Sequence, residues 1–288
     1  MKRESRLTGG SKPRESDMAT TQPMPIGTEA PVAVRHIRMS DLRAALAEGW
    51  RDFSEKRGDI VVVGFIYPLV GLIVATLALN DQLVPLAFPL CAGLSLPGPA
   101  VAVGFYELAR RRERGEDATW GHFFDGFRRN TGSIAVATLF LGVIFLLWMG
   151  AAWLLYTATF GTGTYYMWSV NHGETLTLQD FLSRLFTTRD GWTLILLGNL
   201  AGGVFAVIVL ATSIVTFPML VDRPVDATTA MGVSLRAFAA NWKVLIGWGV
   251  IVATLLALGS IPAFVGLAVV LPVLGYATWH LYERIVPR

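Results

Sequence analysis

From Val244 to Tyr282 the chain runs for 39 residues without one Asp, Glu, Lys or Arg. As a single helix that run would be about 58 Å long, nearly twice the hydrocarbon core of a bilayer. It therefore reads as two membrane spans, with the break at Gly259-Ser260-Ile261-Pro262. Four more uncharged stretches have spanning length, at 60–79, 83–106, 134–160 and 192–221. With the divided run at 244–260 and 261–282, they predict an all-α polytopic bundle of six transmembrane helices over residues 35–288. Composition agrees. Only 16% of residues are charged and 53% are hydrophobic, whereas soluble domains carry about 25% charged residues.

Basic residues orient the bundle, because cytoplasmic loops retain lysine and arginine. With the N-terminus inside, 22 of the 24 basic residues fall on the cytoplasmic side, and only Arg184 and Arg189 fall outside. Both termini are then cytoplasmic. Residues 1–34 are rich in Ser, Thr, Pro, Gly and charge and read as a disordered tail, with Met18 and Met24 as alternative starts. No short apolar core near Met1 marks a signal peptide. The lone Cys91 excludes an intrachain disulfide and a cysteine-based metal centre.

Three segments preceding odd-numbered spans resemble one another. They place Phe53, Phe127 and Phe238 three residues before Lys56, Asn130 and Asn241, and seven before Ile60, Ile134 and Leu245. Before the first of them, Leu42, Ala45, Leu46, Gly49, Trp50 and Phe53 recur at helical spacing, with Arg43, Glu48, Arg51 and Asp52 elsewhere on the wheel. Each even-numbered span ends on an acidic–basic exit: Glu107 with Arg110, Asp222-Arg223 and Glu283-Arg284. The expected unit is a cytoplasmic interfacial helix followed by a helical hairpin, used three times. Outside, Leu178, Phe181, Leu182, Leu185 and Phe186 predict a short amphipathic helix in the 161–190 loop, capped by Thr175 or Thr177.

Four passages carry a resemblance: Arg35–Leu46 with Gly49–Phe53, Tyr67–Gly71, Gly104–Arg111, and Leu271–Tyr282. They resemble an uncharacterised bacterial integral membrane family, domain of unknown function 2189, over about residues 35–286. The resemblance implies a bacterial inner-membrane protein and supplies no activity. Some members carry a label resembling cytochrome c oxidase subunit I. The residues reject that role, since haem and copper ligation needs several intramembrane histidines. Of the four here, His36, His122 and His172 lie outside the spans and only His280 lies within one, near its end.

No catalytic constellation, metal motif or nucleotide loop stands out, so no cofactor and no nucleic-acid partner is expected. Gly198–Gly202 sits inside a span and reads as close helix packing. Asn199 is the strongly polar residue within that span, read as an interhelical hydrogen bond. Helix breaks are the best pointer to a membrane site, because they free backbone groups. Pro97, Gly98 and Pro99 break the second span, and Pro272 the sixth. A cytoplasmic-facing cavity lined by Tyr106, Glu107, Tyr276 and His280 is therefore expected. The function classes left open are a transporter or accessory subunit, a structural or assembly partner of another membrane complex, and a lipid-acting enzyme. The last lacks any buried ionisable set in the span cores. The partners expected are the lipid bilayer and either another membrane protein or a second copy.

Overall fold

The computed structural model describes residues 32–55, 89, 98–160, 178–262 and 264–287. The expected first span, the expected second as far as Pro97 except Pro89, Lys56, Cys91, nearly all of the tail, the loop to residue 177 and its capping threonines lie outside the described residues. Among those described, every element is helical: α1 (Met39–Glu55), α2 (Gly98–Val101), α3 (Val103–Glu113), a 3-10 turn (Trp120–His122), α4 (Asp125–Arg129), α5 (Thr131–Phe160), α6 (Leu178–Thr187), α7 (Arg189–Ser213), α8 (Thr216–Asp222), α9 (Ala227–Ser260) and α10 (Leu267–Ile285).

Among the described residues, three stretches are long and apolar enough to cross a membrane: Thr131–Phe160, Arg189–Asp222 and Ala227–Ser260. Helix α5 illustrates the design. Ile134, Ala137, Leu141, Ile144, Trp148, Ala152 and Tyr156 are buried along one stripe. Leu139, Leu146, Leu147 and Leu154 are exposed on the other side. A helix that is apolar all round, half packed and half bare, suits a lipid boundary rather than water.

The helix ends differ from the sequence reading in three places. The fourth stretch is not continuous: α7 stops at Ser213 and α8 restarts at Thr216. Pro218 cannot donate to the carbonyl four residues back, so the ladder fails there. Ser234 Oγ from α9 covers part of the break, accepting from Val215 N at 3.2 Å and donating to Ala211 O at 2.8 Å. The expected fifth span is the second half of a 34-residue helix whose first half takes in the expected amphipathic segment. The last helix starts later than the expected sixth span, at Leu267, because Ile261, Pro262 and residues 264–266 form turns, with Phe264 at a φ of 64°.

Helix α1 lies against α10 rather than standing free. Leu42, Ala45, Gly49 and Asp52 are buried. Trp50, expected on the apolar face, is exposed, and Asp52, expected on the polar face, is inside. The other two segments of this kind also pack against neighbouring helices. Gly126 of α4 meets α3 at Val103 O and Glu107 Cβ, and α9 meets α7 and α8, with Ser234 of its first half hydrogen-bonded to Ala211 O and Val215 N.

Asn130 and Asn241 both leave the helical region, at φ/ψ of −145/55 and −128/23. Each clasps the strap leading into another polar-end helix. Asn130 Nδ2 donates to Val225 O at 2.6 Å, just before α9. Asn241 Oδ1 accepts from Ile37 N at 2.9 Å and its Nδ2 donates to Arg35 O at 3.0 Å, just before α1. The same Nδ2 reaches Ala237 O at 3.1 Å, the i−4 carbonyl that a kink at Asn241 would release.

Candidate functional site

The chemistry of the described residues gathers at one end of the bundle, around α3 and α10. These helices approach closely because Gly275 has no side chain. A Cβ there would lie 2.7 Å from Phe105 Cβ. Phe105 in turn packs edge-on against Tyr276 at 5.8 Å and Phe123 at 5.2 Å, and Gly104 gives the Phe123 ring its place.

On one side of α3 stands Glu107, with no exposed surface. Its Oε1 accepts from Arg110 Nη2 at 2.6 Å and Arg111 Nε at 2.9 Å. Its Oε2 accepts from Arg110 Nε at 2.9 Å and Arg129 Nε at 3.1 Å. Arg110 is equally buried, and its Nη1 is left without a hydrogen bond. Burial alone would push the Glu107 carboxyl up. The guanidinium groups of Arg110, Arg129 and Arg111 outweigh it and hold the carboxyl below its ordinary range. Arg111 continues the network to Asp125 at 3.0 Å, and Asp125 also meets His122 Nδ1 at 2.8 Å.

A second cluster joins α1 to α10. Asp52 Oδ2 lies 2.7 Å from His280 Nε2. Arg284 donates to both oxygens of Glu48 at 2.9 Å, and Arg112 pairs with Glu55 and donates to Asp52 O at 3.2 Å. Trp279 Nε1 donates to Glu113 Oε1 at 3.0 Å. Near the α8 terminus, Tyr282 Oη donates to Asp222 Oδ2 at 3.0 Å and Arg114 stands 3.4 Å from Asp222.

Of the residues expected to line a cavity, Tyr106, Glu107 and Tyr276 are packed inside and His280 is largely covered. The structure brings the four to the same helix pair but divides their partners. Glu107 belongs to the arginine network and His280 to the α1 carboxylates. Gly98 and Pro99 open α2. Pro272 is buried inside α10. Asn199 faces outward from α7, its Nδ2 donating to Ile195 O at 2.7 Å. Gly202 abuts the Trp148 ring, while Gly198 and Gly203 have open space where a Cβ would go. An open cleft on α6 is lined by Gln179, Leu182, Ser183 and Phe186.

Sequence reasoning found Glu107 and Arg110 as an exit pair. It missed Asp52, Glu48 and Glu113 as partners of α10, since 228 residues separate Asp52 from His280. No local spacing encodes such a pairing. No curated protein and no solved structure matches the chain. Residues 87–222, which take in α2 to α8, match the family model of domain of unknown function 2189, described as a predicted integral membrane protein.

Proposed function

We propose that this protein is an accessory or assembly subunit of the bacterial inner membrane, built of six spans, that binds another membrane protein through the outer face of α7. The observation that carries the reading is Asn199. It stands exposed within a spanning helix, beside the exposed Leu196, Leu200 and Val204 and the open Gly203. Its Nδ2 donates to Ile195 O within α7, but that one bond leaves the rest of the amide's hydrogen-bonding capacity for a neighbouring helix, and small residues let such a helix come close. On this reading Tyr106, Glu107, Tyr276 and His280 form the packed cytoplasmic closure of the bundle, not a transport path. Cysteine substitution tests it. In a Cys91→Ala background, Gly203→Cys is expected to form oxidant-dependent cross-links to a second membrane chain in native membranes, with Ala137→Cys, on the packed face of α5, as the silent control. Equal cross-linking by both, or by neither, rejects the α7 face.

The cyclic contacts support a threefold repeat. Helix α4 leans on α3, α9 on α7 and α8, and α1 on α10, a closed order that fits three polar-end helices docked on the return stretches of three hairpins. Asn130 and Asn241 clasp the next strap in the same order, and Phe53, Phe127 and Phe238 are all half-buried. Positive charge supports cytoplasmic termini. Ser169→Cys should react with an impermeant thiol reagent in intact cells and Gly115→Cys should not; the opposite pattern reverses the topology.

A further inference from the structure

We propose that Glu113, His280 and Glu283 form a binding site for one divalent transition-metal cation. His280 and Glu283 stand three residues apart on one face of α10, and Glu113 ends α3 beside them. One ligand atom from each lies within 4.8 Å of the others.

The imidazole supplies an independent observation, because it is oriented as a metal ligand. Its Nε2 is fixed 2.7 Å from Oδ2 of the buried Asp52, the carboxylate–histidine arrangement that sets the tautomer of metal-bound histidines. The opposite nitrogen, Nδ1, then faces Glu113 Oε1 at 3.6 Å and Glu283 Oε2 at 3.7 Å. Both separations are too long for good hydrogen bonds. They approach the separation of about 3.4 Å between two ligands held about 2.1 Å from one tetrahedral ion. Glu48 Oε2 is also 3.6 Å from Nδ1, but Arg284 grips that carboxylate at both oxygens. Glu113 Oε1 keeps its hydrogen bond from Trp279, which orients the carboxylate.

One nitrogen with two carboxylate oxygens suits zinc, manganese or iron(II) better than calcium or magnesium, which prefer oxygen alone. The side chains are partly open, at 21% for Glu113, 12% for His280 and 23% for Glu283, so an ion can enter and a water can complete its coordination.

The test uses the full-length protein in detergent, stripped with a chelator and titrated with Zn²⁺ by calorimetry. The expected result is one Zn²⁺ per chain, with affinity reduced at least tenfold in Glu283→Gln and in Glu113→Gln. Asp52→Asn, which alters the partner of the imidazole's far nitrogen and leaves the three proposed ligands in place, should weaken binding by about 10- to 100-fold. Wild-type protein that binds no Zn²⁺ would overturn the site, as expected if the carboxylates are balanced by a proton on His280 alone. Unchanged affinity in both glutamate variants would also overturn it, placing any bound ion elsewhere.

Discussion

Replacing Glu107 by Gln is expected to destabilise the bundle by about 3–5 kcal/mol, the usual cost of breaking a buried ion pair from one side. Glutamine keeps the shape of the side chain but removes the nearest charge offsetting Arg110, which has no exposed surface and is left with Glu116 at 3.5 Å. Arg111 and Arg129 also lose a partner but retain access to water, with 17% and 41% of their side chains exposed. The penalty is therefore concentrated on Arg110. A second variant separates charge from packing. Glu107→Met with Arg110→Met removes both buried charges and should recover most of the loss, because apolar replacements of buried pairs are often neutral. Acidification should act in the same direction. The folded-state carboxyl is held below its unfolded value, so its stabilisation is full above the unfolded value of about 4.3 and disappears as pH falls through the folded one. Denaturant unfolding in detergent, followed by circular dichroism at several pH values, reads all three. A Glu107→Gln loss below about 1 kcal/mol would show that Arg110 is not balanced by this residue.

The spanning character was legible because it needs only charge and length. The ends of α5 and the stop of α9 at Ser260 follow from where apolar runs meet polar residues or a proline. The break between α7 and α8 was not legible. Pro218 lies inside an apolar run, and the residue that covers the break, Ser234, arrives from another helix. Asn130 and Asn241 were visible as matching positions, yet nothing local says that their amides clasp straps at Val225 and Arg35. The candidate site divides the same way. The Glu107–Arg110 pair is a contact within one helix, three residues apart, and sequence spacing reports it. The burial of Asp52 depends on a histidine near the other end of the chain, so an amphipathic wheel assigned it to the wrong face.

Gly49→Leu is expected to release α1 from α10. A Cβ at position 49 would lie 2.6 Å from Ala277 N, 2.7 Å from Val273 O and 2.8 Å from Ala277 Cβ. Two of those atoms are backbone in the middle of α10, so no rotamer change can clear the clash and the helices must separate. Separation would break Asp52–His280 and Glu48–Arg284 together and expose Leu42 and Ala45. Overpacking alone costs about 1–3 kcal/mol, and the stranded charges add to it. Gly49→Ala already introduces the offending Cβ and should show the smaller part of the effect. Ala47→Leu adds the larger side chain to the exposed face of α1 and serves as the control. Limited trypsin digestion in detergent reads the outcome through Arg43 and Arg51, whose bonds resist cleavage while α1 stays helical and docked. Fast cleavage at both sites is expected in Gly49→Leu and wild-type resistance in Ala47→Leu. Equal resistance in the two variants would mean that the strap clasped by Asn241 holds α1 without the close approach at Gly49. In that case the ion pairs would survive a shift of the helix, and the contact between the first and last described helices would be electrostatic rather than steric in origin.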